Sequence, residues 1–101
     1  MSYEISLLAE EDWRDIVNYT FDNHGEAQTR KYMDQLEKCI SDLSIGEGFY
    51  KAMDGLIPDI CLKHCEHHYI FGLMRDNKPM LVIAILHERM DLMVQLKRRF
   101  E

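Results

Sequence analysis

The first half of the chain carries apolar residues at helical spacing. Ser6 stands before the first of these stripes and predicts an N-cap, because its hydroxyl can accept a hydrogen bond from a backbone N–H group. Gly25 is a natural stop. These signals predict a short strand at residues 3–5 and a helix over about residues 8–23. The apolar face of the helix is formed by Trp13, Ile16, Val17 and Thr20.

A second helical stripe follows Gly25 almost at once. It consists of Met33, Leu36, Ile40 and Leu43, with Tyr32 and Cys39 on its shoulder. So short a connection predicts that the two helices run antiparallel and pack side by side. Gly46 and Gly48 end the second helix, and residues 44–58 are predicted to be an irregular connector.

From residue 59 onward the apolar pattern changes to that of β-strands. It predicts three strands, at about residues 60–65, 68–75 and 80–87, with a turn at residues 76–79. Asp91 is placed to cap a final helix. The apolar face of that helix is formed by Leu92, Met93, Leu96 and Phe100. The chain therefore reads as one α+β domain over residues 1–101, in which a helical hairpin packs on a mainly antiparallel sheet in the order β-α-α-β-β-β-α.

The predicted turns fix which residues face each other across the strands. Cys65 is expected opposite His68, and His68 opposite His87. One sheet face is expected to pack on the helix pair: Leu62, Tyr69, Phe71, Leu73, Val82, Ala84 and Leu86. The other face is too apolar to stay exposed, so we expect the final helix, a partner or both to cover it. It holds Cys61, Lys63, Cys65, His68, Ile70, Met74, Leu81, Ile83, Ile85 and His87.

Composition excludes several classes of protein. Hydrophobic residues make up 47% and charged residues 30% of the 101 residues, as in folded globular domains. No apolar run approaches the roughly 18 residues that cross a bilayer, and the start has no signal-peptide pattern. We therefore expect a cytoplasmic protein that has no membrane partner. Cys39, Cys61 and Cys65 form no paired framework, which predicts free, mostly buried thiols.

The net charge of −6 is unevenly distributed along the chain. Residues 1–60 hold 13 acidic and 5 basic side chains, whereas residues 61–101 hold 5 acidic and 7 basic ones. An anionic partner is therefore expected to meet the second half. The overall acidity argues against direct, sequence-specific nucleic-acid binding by the chain alone, because that binding depends on lysines and arginines that neutralise phosphates.

The histidine-rich end of the predicted sheet is the main candidate for chemistry. Cys65, His68 and His87 line up across three strands, and thiolate and imidazole are good zinc ligands. A fourth ligand is lacking, so a hydrogen-bonded histidine pair is favoured over a metal, and we expect no cofactor. RNA cleavage would need a base, an acid and cations. His64 is placed on the same sheet face as Tyr69, away from His68 and His87, which favours a structural role and predicts no catalytic residues.

Two stretches in the second half resemble the ParE toxins of bacterial toxin and antitoxin pairs. They are His68-Tyr69-Ile70-Phe71 and Ile85-Leu86-His87-Glu88-Arg89-Met90-Asp91-Leu92. The first half is similar to the same family in Tyr3-Glu4-Ile5-Ser6, Ala9, Asp12, Ile16 and Tyr19-Thr20, and in Gly25-Glu26-Ala27-Gln28, Tyr32 and Leu36. A departure is Gly72, where the family often has an aromatic residue. The resemblance covers nearly the whole chain and implies the fold of the RelE and ParE superfamily.

The resemblance also implies a function and two partners. ParE-like toxins bind DNA gyrase and trap it on cleaved DNA, and a small antitoxin of the ParD type neutralises them. RelE-like members instead cut messenger RNA on the ribosome with the help of a residue in the last helix. Here residues 90–93 are Met-Asp-Leu-Met, with no tyrosine, so we expect a toxin that is not an enzyme. The alternatives are a RelE-like, ribosome-dependent mRNA endoribonuclease and a non-toxic, protein-binding relative.

The expected binding residues fall into two groups. The end of the last strand and the final helix are expected to bind the target, through His87, Arg89, Met90, Asp91 and Arg98. The helical hairpin and the second sheet face are expected to bind the antitoxin, through Trp13, Tyr19, Met33, Ile70, Ile83 and Ile85.

Overall fold

The computed structural model describes residues 3–46, 51–52 and 59–100. Its elements are β1 Tyr3–Ile5, α1 Leu7–Ser44, β2 Lys51–Ala52, β3 Ile60–Cys65, β4 His68–Arg75, β5 Lys78–His87 and α2 Leu92–Arg98. The strands form one sheet in the order β1-β5-β4-β3-β2, with β1 parallel to β5 and the other neighbours antiparallel. The predicted α+β class is confirmed. None of the described helices is long and apolar enough to cross a membrane.

The long helix α1 is bent into a hairpin at Gly25. This glycine has φ 83° and ψ 177°, a left-handed φ that residues with a side chain rarely adopt. The bend gives two arms, residues 7–24 and 26–44. Ile16 of the first arm and Leu36 of the second lie in one core cluster, so both arms pack on the same side of the sheet. At the start, the Ser6 hydroxyl accepts a hydrogen bond from the Ala9 N–H group at 3.1 Å, as predicted.

Two predicted boundaries differ from the structure. Within the predicted irregular connector, Lys51–Ala52 forms a short edge strand that pairs with residues 61–62 of β3. The rest of the connector after residue 46 lies outside the described residues until Asp59. The last strand begins at Lys78 rather than at residue 80, because Arg75 pairs with Lys78 and leaves only a two-residue turn.

The structure reverses the predicted assignment of the sheet faces. The arms of α1 cover the face that holds Cys61, Cys65, Ile70 and Ile85. The helix α2 covers the opposite face through Leu96, in a cluster with Ile60, Phe71, Ile83, Ala84 and Leu86. Alternation along a strand shows which residues share a face, but it does not show which helix covers that face when both are apolar.

A β-bulge explains a second error in the face assignment. Phe71 pairs with Ala84 and Gly72 with Val82, so Ile83 is an extra residue in β5. Val82 therefore lies in the cluster under α1, whereas Ala84 lies in the cluster under α2. A strict two-residue period across the bulge had placed Val82 and Ala84 on one face.

The cysteines also depart from the prediction. Cys39 of α1 and Cys65 at the end of β3 form a disulfide, with their Cα atoms 6.3 Å apart. Cys61 is free and buried, as predicted. The prediction of free thiols rested on an odd number of cysteines without a paired framework, and the predicted sheet faces kept Cys65 away from the helical hairpin that carries Cys39.

Candidate functional site

A cleft of about 760 Å³ opens where the bend of α1 meets the end of the sheet. Both arms of α1, the β3–β4 turn and the exit of β5 line it. Its inner part holds the half-buried side chains of Tyr32, His68 and His87, and its exposed rim includes His67 and Arg89. We call this cleft, whose lining includes those five residues, the histidine cleft.

Tyr32 connects the second arm of α1 to the β3–β4 turn. Its hydroxyl lies 2.6 Å from Nδ1 of His68 and accepts a hydrogen bond from the backbone N–H group of His67 at 3.1 Å. The rings of His68 and His87 meet edge to face, with their centroids 5.1 Å apart. The predicted pairing of His68 with His87 across the strands is confirmed.

Burial shifts the pKa values of His68 and Tyr32. Burial lowers the pKa of His68 from 6.5 to about 4, and repulsion from His87 and His67 acts in the same direction. His68 is therefore neutral at neutral pH. Burial also raises the pKa of Tyr32, so its hydroxyl keeps its proton. Tyr32 and His68 are thus neutral hydrogen-bonding groups in the inner part of the cleft.

Glu88 joins the β3–β4 turn to the exit of β5. Its two carboxylate oxygens lie 3.0 Å from Nδ1 of His67 and 2.9 Å from Nε2 of His64. These hydrogen bonds, that of His67 above all, lower the pKa of Glu88. His64 also stacks on Tyr69, with ring centroids 4.5 Å apart, so it lies beside Tyr69 as expected. The contacts hold the rim of the cleft on its strand side.

Comparison with known proteins identifies the family. A family model for the ParE toxin of type II toxin-antitoxin systems, parDE, matches residues 3–92. The chain belongs to the ParE toxin family. It is 47% identical over 100 residues to Toxin ParE of Escherichia coli, which covers 99% of this chain and 97% of that relative. Toxin ParE1 of Mycobacterium tuberculosis is 25% identical over 89 residues, covering 88% and 91%.

A solved structure shares the fold of this chain at low sequence identity. The chain in a structure described as the chromosomal ParDE TA system from P. aeruginosa matches with a TM-score of 0.68. The match covers 86% of this chain and 95% of that chain, at 13% identity. At so low an identity the similarity shows the fold alone.

Most of the expected target-binding residues of this ParE-family chain lie together. His87, Arg89 and Met90 line the histidine cleft. Asp91 follows directly but accepts a hydrogen bond from the Val94 N–H group at 3.2 Å, so its side chain is used as the N-cap of α2. Arg98 is exposed at the opposite end of α2, apart from the other four.

The expected antitoxin-binding residues separate into surface and core. Tyr19 is 66% exposed and lines the histidine cleft, and Trp13 is half-buried against the core under α1. The other four are in the core: Met33, Ile70, Ile83 and Ile85 are at most 9% exposed. The prediction of an open sheet face that carries the three isoleucines is wrong, because α1 covers Ile70 and Ile85 and α2 covers Ile83.

Several residues of the site were not singled out from the ParE-like sequence. Tyr32 was placed only on the shoulder of a helix, and Glu88 only within a family stretch. The contacts of Tyr32 depend on the helical hairpin folding against the β3–β4 turn, and those of Glu88 depend on the exit of β5 lying beside that turn, neither of which a local pattern encodes. The disulfide removes Cys65 as a thiolate ligand. Within residues 3–46, 51–52 and 59–100, no cluster of histidine, cysteine and acidic side chains has metal-binding geometry.

Proposed function

We propose that this protein is the toxin of a toxin-antitoxin pair that acts in the cytoplasm by binding DNA gyrase and stalling it. A ParD-like antitoxin neutralises it, and the toxin acts through protein contacts rather than through catalysis. Membership of the ParE toxin family supports the toxin role, and the family resemblance supports gyrase as the target.

The observation that carries this proposal is the ordered exit of β5. The backbone N–H group of Arg89 donates to Nδ1 of His87 at 3.1 Å, and that of Met90 donates to the His87 carbonyl at 3.0 Å. This turn presents the Arg89 and Met90 side chains, both exposed, at the rim of the histidine cleft. Arginine and methionine are enriched in protein interfaces, so the rim suits a protein target.

Tyr19 supports a role for the same region in antitoxin binding. It is a large, exposed aromatic side chain on the wall of the cleft that also holds Arg89 and Met90 at its rim. An antitoxin segment laid over Tyr19 therefore also covers the proposed gyrase-binding residues. Neutralisation then follows from exclusion of gyrase.

The charge of the cleft supports a binding role over RNA cleavage. Among the described residues that line it, Arg89 is the single lysine or arginine, while Asp15 and Glu66 are acidic. Binding of a phosphate chain depends on several cations. Asp91, in the stretch where the nuclease branch is expected to carry a proton-transfer group, is occupied as a helix cap.

A supercoiling assay with purified gyrase tests the proposal. The toxin should inhibit supercoiling and the antitoxin encoded in the adjacent reading frame should restore it. Arg89→Ala should weaken inhibition at least tenfold with little change in melting temperature. The matched control, Arg14→Ala, removes an exposed arginine that does not line the cleft and should inhibit like the wild type.

Three results would contradict the proposal. If Arg89→Ala strongly lowers both the inhibition and the melting temperature, the role of Arg89 is structural. Unchanged supercoiling with cut messenger RNA in a translation extract would identify a RelE-like ribonuclease instead. If the protein neither inhibits supercoiling nor causes cleavage of messenger RNA, and its expression does not affect growth, it is a non-toxic relative.

A further inference from the structure

The hydrogen bond at Nδ1 of His87 fixes where that ring carries its proton. Nδ1 accepts from the backbone N–H group of Arg89 at 3.1 Å, so it holds a lone pair. A neutral imidazole has one N–H group. In neutral His87 that group is therefore at Nε2.

The same reasoning applies to His68 through Tyr32. The Tyr32 oxygen accepts the N–H group of His67, and among the described residues Nδ1 of His68, 2.6 Å away, is the acceptor within reach of the Tyr32 hydroxyl proton. Neutral His68 therefore also carries its proton at Nε2. The pKa of about 4 keeps this ring neutral at pH 7.

The two Nε2–H groups have no hydrogen-bond partner among the described residues. No hydrogen bond joins either group to another described residue, and no buried side-chain nitrogen or oxygen within that part of the chain lacks a partner. The groups are therefore accessible, and both rings line the histidine cleft. Together with the Arg89 guanidinium at the rim they form a set of donors, and such a set binds an acceptor.

The remaining charges select the acceptor. Asp15 and Glu66 also line the cleft and repel a chain of several negative charges. A single carboxylate has two acceptor oxygens to match two N–H donors, and its one negative charge meets less repulsion from Asp15 and Glu66 than a phosphate chain does. The walls include the buried Ile16 and the exposed Tyr19 and Met90, which suit apolar neighbours of that carboxylate.

We propose that the histidine cleft binds one carboxylate side chain of the antitoxin, from an acidic residue flanked by apolar residues, through the Nε2–H groups of His68 and His87 and through Arg89. This inference rests on the proposed function, because it assigns the antitoxin as the occupant. It adds the chemistry by which the antitoxin is recognised.

The first experiment probes the donor set in the intact toxin at pH 7. Imidazole ¹⁵N–¹H spectra are recorded while sodium propionate, propionamide or inorganic phosphate is added. Propionate should shift the Nε2 signals of His68 and His87 with saturation, and propionamide should do so more weakly. Tighter binding of phosphate than of propionate, or proton signals at Nδ1 instead of Nε2, would overturn the proposal.

The second experiment measures the affinity of the antitoxin for toxin variants by calorimetry. His87→Phe keeps an aromatic ring but removes the donor and should weaken binding about tenfold or more. Arg14→Ala, at an exposed position outside the cleft, is the control and should stay within about twofold. If His87→Phe is unfolded by circular dichroism, Tyr32→Phe replaces it, because it frees the tautomer of His68 and should weaken binding in the same direction.

The outcomes separate this inference from the proposed function. If the antitoxin does not bind the wild-type toxin, the result contradicts the proposed function. An antitoxin that binds the wild type and the folded His87 variant equally well would overturn the carboxylate site and leave the proposed function in place.

Discussion

Asp12 and Arg99 form a two-point ion pair across 87 positions of the sequence, with nitrogen-to-oxygen distances of 2.8 and 2.9 Å. The pair completes the edge of β5 beyond Val82, where β1 ends. Asp12 accepts the N–H group of Ile85 at 2.9 Å, and Arg99 donates to the carbonyl of Ile83 at 3.0 Å. An edge closed in this way is not available for pairing with another strand.

Removal of Asp12 should therefore strongly destabilise the fold. The side chains of Asp12 and Arg99 are only 15% and 14% exposed, so Asp12→Ala leaves a largely buried cation and an unpaired N–H group. We expect the free energy of unfolding to fall by about 3–5 kcal/mol in urea titrations. The exposed pair Glu26 and Arg30 is the control, since Glu26→Ala should cost about 0.5 kcal/mol or less. Similar costs at both sites would contradict the assigned role of Asp12.

Gly72 makes room for Met80. A Cβ atom at position 72 would collide with Sδ of Met80 and would lie 3.0 Å from its Cγ, inside the core. Gly72→Ala should lower the free energy of unfolding by about 1–3 kcal/mol. In a double-mutant cycle with Met80→Ala, the combined loss should be smaller than the sum, because the smaller side chain relieves the collision. Additive losses would show that Met80 is not the obstacle.

His68 should make the fold sensitive to acid. Its pKa is about 4 in the folded state and near the ordinary 6.5 in the unfolded state, so between these values the unfolded chain binds more protons. The stability supplied by neutral His68 is therefore present above about pH 6.5 and is lost as the pH falls towards 4. His68→Gln should flatten this part of the plot of unfolding free energy against pH. A slope in the His68 variant equal to that of the wild type would refute the assignment.

The disulfide should stabilise the oxidised protein. Cys39 and Cys65 are 26 positions apart, and a crosslink closing a loop of that size lowers the entropy of the unfolded chain enough to contribute about 3.5 kcal/mol. Dithiothreitol should lower the free energy of unfolding by about that amount in the wild type and have no effect on Cys39→Ser. A protein with Cys61→Ser should keep its response to dithiothreitol, because Cys61 is not crosslinked.

Local signals in the sequence were sufficient for much of the fold. The cap at Ser6, the break at Gly25 and the pairing of His68 with His87 each depend on neighbouring residues or on one short turn. The sheet faces depend on distant packing instead. Phe71 is buried as expected, but against α2 rather than under the helical hairpin, because both faces are apolar and a bulge at Ile83 shifts the period.

The candidate site was only partly predictable for the same reason. The family-like stretch that ends β5 indicated His87, Arg89 and Met90, and all three line one cleft. The contact of Tyr32 with His68 joins residues 36 positions apart. It forms only when the helical hairpin covers the sheet face of His68, whereas the sequence prediction placed the hairpin on the opposite face. Periodicity carries no information about that choice.

The parallel pairing of β1 with β5 has a consequence for biosynthesis. Tyr3 of β1 pairs with Met80 of β5, which is made 77 residues later. The opening strand and the helical hairpin therefore emerge with their apolar sides bare, and the sheet is assembled only late in translation. Until β5 has been made, the nascent chain therefore lacks both the completed sheet and the part of the histidine cleft that His87 and Arg89 form.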